Sequence, residues 1–235
     1  MANAPHPHRI GLIPEHGSKH GGRLGRHIHF DDRSWDYRVP LRAGAGIQTR
    51  TWPRALKAFN QGELGSCTGN GAVGVVCTEP YRKSGVRYSE ALARKVYSQA
   101  SHDDTIVGAW PPKDTGSTVL GAMKALKDLG FTTGYHWCFG LEDVLKTLST
   151  LGPVEVGLNW YEGFDKPDAK GLAKIGGAIR GGHAFELLGV DAETKLVWAI
   201  NSWGPDWGLG GRFAFSWKDL ERLLHEDGEA STVKA

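Results

Sequence analysis

Apolar and polar positions change period twice along the chain. Residues 1–30 show no period: "MANAPHPHRIGLIPEHGSKHGGRLGRHIHF" sets His6, His8, His16, His20, His27 and His29 among Arg9, Lys19, Arg23, Arg26 and glycines. This predicts a polar arm without helix or strand. Residues 31–60 are turn-rich, with Pro40, Pro53 and Gly44-Ala45-Gly46. Helical spacing follows. "CTGNGAVGVVCTE", 67–79, is apolar on nearly every side and predicts a buried helix ended by Pro80. Gly69, Gly71 and Gly74 each cost such a helix roughly 1 kcal/mol against alanine, so other backbone is expected to pack closely on it. A second helix starts at Ser89 as N-cap and carries Leu92, Val96 and Ala100. A third begins at Ser117, carries Val119, Met123, Leu126 and Leu129, and stops at Gly130. A fourth, 141–151, carries Val144, Leu145, Leu148 and Leu151 before Gly152-Pro153.

The period then becomes two. "VEVGLNW" alternates Val154, Val156, Leu158 and Trp160 with Glu155, Gly157 and Asn159. "RFAFSW" alternates Phe213, Phe215 and Trp217 with Arg212, Ala214 and Ser216. "HAFELLGVD" and "LVWAINSW" are further strand-like runs. Helices first and antiparallel strands second predict an α+β domain over 31–226. A helical lobe over about 45–130 packs on a β lobe over about 131–226, with a C-terminal tail at 227–235, and the cleft between lobes is the expected ligand site.

Composition narrows the function classes. The 235 residues carry a formal net charge of +2, which gives no reason to expect nucleic acid or an acidic membrane surface. No apolar run reaches the ~20 residues of a membrane span, and the N-terminus has no apolar core of a secretory signal. Three cysteines, Cys67, Cys77 and Cys138, at irregular spacing are no disulfide framework. A reducing, cytoplasmic setting is therefore expected.

Cys67 follows Gly65-Ser66 and opens a helix, whose free N–H groups and partial positive charge stabilise a thiolate. Cys77 and Cys138 sit among apolar residues and read as packing. A thiolate nucleophile needs a base. Of His102, His136, His183 and His225, only His183 follows a glycine pair and opens a strand, where an extended substrate could approach. Asn201, in "INSWG", can orient an imidazole without adding charge. Cys67, His183 and Asn201 make a nucleophile–base–orienter set.

"QGELGSC", "GGHAFELLGVD" and "NSWGPDWGLGGRFAF" resemble the three signature blocks of papain-like cysteine peptidases, over about residues 30–220. "QG-x-L-GSCT" is especially like the bacterial and viral branch. The resemblance implies a two-lobed papain-like fold and a thiol peptidase acting on polypeptides, with no cofactor or metal. It casts Cys67 as nucleophile, paired as thiolate with a His183 imidazolium, and Asn201 as the residue orienting His183. Gln61 becomes the side-chain half of an oxyanion hole and Trp203 an indole shielding the His–Asn contact. It also implies that Gly116 and Ser117, in "DTGS", pair with substrate backbone, and that Gly182 and Ala184 border the substrate, Ala184 in the pocket for the second residue before the cut. Departures are Leu64, where secreted members often carry a disulfide cysteine, Thr68 in place of an aromatic residue, and Gly182 in place of an acidic or apolar one.

Two alternatives share these residues. One is an amidase, transpeptidase or deubiquitinase-like enzyme; the other is a structural or assembly-associated protein, such as a virion component, that keeps the fold as scaffold. The arm is short, glycine-rich and without amphipathic period. It is expected to tether a partner rather than act as an inhibitory prosegment.

Overall fold

In the computed structural model, which describes residues 23–234, helices dominate the first half and strands the second. The elements are β1 (Arg26–His27), β2 (Arg50–Thr51), α1 (Cys67–Val76), α2 (Glu90–Asp103), β3 (Ser117–Thr118), α3 (Val119–Asp128), β4 (Gly134–Trp137), α4 (Leu141–Thr150), β5 (Val154–Tyr161), β6 (Ile179–Asp191), β7 (Leu196–Ile200), β8 (Arg212–Ser216), α5 (Trp217–His225) and β9 (Glu229–Lys234). No helix among the described residues is long and apolar enough to cross a membrane.

Every residue of α1 is buried. Its glycines are the reason it fits: a Cβ at Gly69 would lie 2.3 Å from the Ala93 carbonyl oxygen on α2, and one at Gly74 would lie 2.6 Å from Glu186 Oε2 on β6. α2 is capped as its sequence predicts, Ser89 accepting from the Leu92 N–H. α1, α2 and α3 pack around Val73, Val76, Val96, Ala100, Met123 and Leu126, which are all but fully buried.

Seven strands form one sheet in the order β4-β9-β5-β6-β7-β8, with β2 also paired to β6, while β1 and β3 form a separate pair. A second core, with Leu145, Leu148, Val156, Phe185, Phe213 and Phe215, packs against this sheet and includes residues of α4 and α5. The sheet neighbours in this path are antiparallel, as the period-two runs predict.

Four expectations change. First, β5 alternates in sequence but all eight of its residues are buried: α1 covers Glu155, Arg26 and Val119 cover Gly157, and Asn159 donates to the Glu226 carbonyl. Second, Trp217 starts a helix rather than ending a strand, because Ser216 caps it by accepting from the Asp219 N–H. Third, residues 229–234 are no tail: β9 lies between β4 and β5, with Ala230 and Val233 in the two cores. Fourth, the stretch 23–30 is not a free arm, since Leu24 and Arg26 are buried and β1 pairs in parallel with β3. The arm's other histidines, His6, His8, His16 and His20, lie outside the described residues. The lobe boundary is also not a single point on the chain, because α4 packs in the sheet's core and β2 belongs to the sheet.

Candidate active site

Cys67 is the first residue of α1, the most buried helix, and meets β6 at the lobe interface. The backbone N–H groups of Ala184, Gly25 and Thr68 point to its thiol. Ala184 follows His183 on β6, so the nucleophile lies against the strand that carries the imidazole. His183 Nε2 pairs with Asn201 Oδ1 at 2.8 Å. Asn201 is held in turn: its Oδ1 also accepts from the Ser202 N–H at 2.8 Å, and its own N–H donates to the Gly211 carbonyl. The oxygen on Nε2 fixes the neutral ring with its proton there. Nδ1 is then the basic nitrogen, and it is buried without a hydrogen-bond partner.

Aromatic rings wall this pair. Trp203 lies 5.0 Å from His183 between ring centroids, and Trp160 lies 4.8 Å away, edge-on. Gln61 donates from Nε2 to the Leu64 and Arg23 carbonyls at 2.7 and 3.1 Å. Ser202 Oγ donates to its Oε1 at 2.6 Å, which aims the amide nitrogen. Ser202 was not among the residues singled out from sequence. It lies beside Asn201 in "INSWG", but its partner is 141 residues away, and nothing local signals that.

The structure thus brings Cys67, His183, Asn201, Gln61, Trp203, Gly182 and Ala184 together, and Gly116 and Ser117 line the same cleft. What lies on them is the chain's own segment 23–27. Gly25 N–H donates to the Gly182 carbonyl at 3.2 Å, and Ser117 N–H donates to the Gly25 carbonyl at 2.9 Å. Trp203 Nε1 and Gln61 Nε2 both point to the Arg23 carbonyl. The fit is close: a Cβ on Gly25 would lie 2.1 Å from the Gly65 carbonyl oxygen, and one on Gly116, whose φ is +71°, would lie 2.3 Å from the Gly25 carbonyl oxygen. The expectation that the arm leaves the cleft open therefore fails for these residues. The sequence hides this because the segment binds by backbone and glycine, which carry no apolar period.

The cover changes the electrostatics. Cys67 is fully buried, and burial pushes its thiol up to about 12, against the pull of the surrounding N–H groups. Burial pushes His183 down to about 4, although the Asn201 bond favours the imidazolium. Both shifts run against the expected thiolate–imidazolium pair while the cleft is covered: burial favours the neutral thiol and the neutral imidazole. Cys77 and Cys138 are pushed up to about 12 by burial as well. Of the other histidines, His102 and His225 are exposed on α2 and α5, and His136 sits on β4 against β9; the site uses none of them.

No protein-family model matches the chain. It is 32% identical over 137 residues to cathepsin B-like CP2 of Giardia intestinalis, covering 56% of this chain and 41% of that protein. It is 32% identical over 146 residues to cathepsin B-like cysteine proteinase 5 of Caenorhabditis elegans, covering 55% and 42%. The chain thus spans about two fifths of the length of these relatives. An uncharacterized peptidase C1-like protein of Acanthamoeba polyphaga mimivirus is 22% identical over 212 residues, 72% of this chain and 67% of that one. Among solved structures, xylellain, a cysteine protease from Xylella fastidiosa, superposes with a TM-score of 0.72 at 16% identity, covering 92% of this chain and 97% of its own. Procathepsin B S9 from Trypanosoma congolense follows at 0.59 and 13%, covering 95% and 87%.

Proposed function

We propose that this chain, which belongs to the papain-like cysteine peptidases, hydrolyses peptide bonds through a thioester on Cys67. The observation that carries the reading is the arrangement of Cys67 at the N-terminus of α1 against the Ala184 N–H, beside a His183 whose Nε2 is held by Asn201 at 2.8 Å. With the cleft open to peptide, His183 Nδ1 takes the Cys67 proton, and the thiolate attacks the scissile carbonyl carbon. The carbonyl oxygen gains negative charge, and Gln61 Nε2 and the Cys67 N–H donate to it. In the covered cleft the oxygen against Gln61 is that of Arg23, so the donor is already aimed at a peptide carbonyl. Collapse breaks the C–N bond, and the imidazolium gives its proton to the leaving amine. Water, deprotonated by His183, then attacks the thioester; the acid leaves and Cys67 regains its proton. Trp203 keeps bulk water from the His183–Asn201 contact.

The test is hydrolysis of fluorogenic peptides by the chain and its Gly25→Ala variant, whose added methyl group clashes with Gly65 and lifts the covering segment. Cleavage that Cys67→Ala and His183→Ala both abolish supports the reading. Cleavage that survives Cys67→Ala overturns it.

A further inference from the structure

Two buried arginine–glutamate pairs meet the sheet. Arg26 Nε donates to Glu229 Oε1 at 3.1 Å and ties β1 to β9. Arg54 Nε donates to Glu186 Oε2 at 2.9 Å, on the β6 strand that carries His183. Arg54 Nη1 is committed to the Leu56 and Lys57 carbonyls, and its guanidinium lies 4.7 Å from the Phe59 ring centroid, so the group is fixed. Burial raises the Glu186 carboxyl, and Arg54 pulls it back toward the ionised form. Behind this pair, between α1, β6 and the end of β7, lies a cavity of about 10 Å³. Its walls are Phe59, Phe185 and Ile200 on the apolar side and Asn70, Glu186 and Asn201 on the polar side. The last three are 4%, 1% and 3% exposed. Each has one atom without a hydrogen-bond partner: Asn70 Oδ1, Glu186 Oε1 and Asn201 Nδ2. The other ends of the two amides are engaged, since Asn70 Nδ2 donates to the Ser66 carbonyl and hydroxyl, and Asn201 Oδ1 accepts from His183 and the Ser202 N–H. The Thr78 hydroxyl lies near the Glu186 carboxyl but outside the cavity, and completes no hydrogen bond.

We propose that this cavity is a site for one water molecule, which accepts from Asn201 Nδ2 and donates to Asn70 Oδ1 and Glu186 Oε1, and that Asn70 and Glu186 thereby act as positioning residues for the His183–Asn201 pair. The effect on rate rests on the peptidase reading above; the site itself does not. Two acceptors and one donor match the two hydrogens and the lone pairs of a water, and three hydrogen bonds are usual for a buried one. The volume admits one such molecule. A metal cation would meet the Asn201 N–H and the neighbouring Arg54, and an anion would meet the Glu186 carboxyl. The water also fixes which way the Asn201 amide faces. Turned by half a rotation, the amide would aim Nδ2 at the Ser202 N–H, donor against donor, and take its oxygen from His183. With Nδ2 bonded to the water, Oδ1 stays on Nε2, and the chain of hydrogen bonds from the Glu186 carboxyl polarises Oδ1 toward the imidazolium that forms during the reaction.

A high-resolution crystal structure of the full chain tests the site: one water within hydrogen-bond distance of all three atoms is expected, and a dry cavity, or one closed by movement of these side chains, overturns it. The positioning role is read in the Gly25→Ala chain, with Arg54→Met/Glu186→Met, which exchanges the buried ion pair for apolar side chains of similar volume, with Asn70→Leu, and with all three changes together. The paired change and Asn70→Leu are each expected to lower kcat on a fluorogenic peptide roughly 5-fold, the worth of one ordinary hydrogen bond, with KM little changed. Since both act through one water, the combined variant should be no slower than the slower of the two. Losses that multiply, a loss confined to KM, or no loss at all would mean that these residues only support the fold. Nitrogen NMR of the His183 ring gives the same answer without hydrolysis. The unmodified chain should hold the proton on Nε2 alone and the variants should show both tautomers; a ratio that neither change moves overturns the positioning role. If the Gly25→Ala chain cleaves nothing while the water and the tautomer shift are found, the peptidase reading fails and the site stands. If the paired change does not melt cooperatively, Glu186→Gln takes its place: its amide oxygen stays on Arg54 and its NH2 turns an acceptor of the water into a donor.

Discussion

At Cys67 two influences oppose each other. The helix N-terminus and three N–H groups favour a thiolate, and complete burial disfavours it; burial wins by a wide margin. In the resting chain at pH 6, iodoacetamide should therefore label Cys67 no faster than Cys77 or Cys138. In Gly25→Ala, Cys67 should become the fast site. Peptide mass mapping after timed quenching reads both, and rapid Cys67 labelling in the unmodified chain would show that the cover does not suppress the thiol. In the Gly25→Ala background, Gln61→Ala should lower kcat about 100-fold, one oxyanion donor, with a smaller change in KM; an effect confined to KM would assign Gln61 to binding alone. Cys67, His183 and Asn201 were legible in the sequence because each stands beside glycine or another marked residue; Cys67 opens α1 and Asn201 follows β7, but His183 lies inside β6 rather than opening a strand, since the ladder with β5 extends upstream of it to Ile179. Arg26 and Glu229 were not. They are 203 residues apart, one in a stretch without period and the other in an expected tail, and an ion pair leaves no local trace.

Among elements, α1, α2 and α4 were readable because their apolar spacing agrees with their final environment, and α2 also because Ser89 caps it. β9 was not: "EASTVK" has little apolar weight, and its strand conformation comes from β4 and β5 on either side. Such an element belongs to the sheet's interior rather than its edge. A chain ending at Asp227 is expected to lose cooperative thermal unfolding, since the β4 and β5 edges and the Ala230 and Val233 contacts are lost together. A sharp melt within a few degrees of the full chain would show that β9 is dispensable.

For the whole molecule, buried ionisable groups shape the response to pH. His183 is lowered from 6.5 to about 4. Between those values the unfolded chain binds a proton that the folded chain refuses, so this contribution is full above pH 6.5 and is lost as pH falls toward 4. Glu155, Glu186 and Glu229 are raised. Their effect has the opposite sign, with stability falling as pH rises through their folded values. His183→Asn isolates the first effect. Relative to this variant, the unmodified chain should lose about 3 kcal/mol of stability between pH 7 and pH 4, because each tenfold loss of proton affinity on folding is worth about 1.4 kcal/mol. Denaturant titrations at both pH values measure it; a difference that does not change with pH would mean that His183 titrates normally in the fold.

The Arg26–Glu229 contact also has a consequence in time. A ribosome makes Arg26 early and Glu229 some two hundred residues later, and domains fold broadly in the order of synthesis. Until residues 227–229 emerge, Arg26 has neither the Glu229 carboxylate nor the Asp227 carbonyl to bond. The strand that completes the sheet is therefore the one that lets the cleft close. Latency of this kind is acquired only once β9 has been made, and a prematurely terminated product has neither a finished sheet nor a means of closing the cleft.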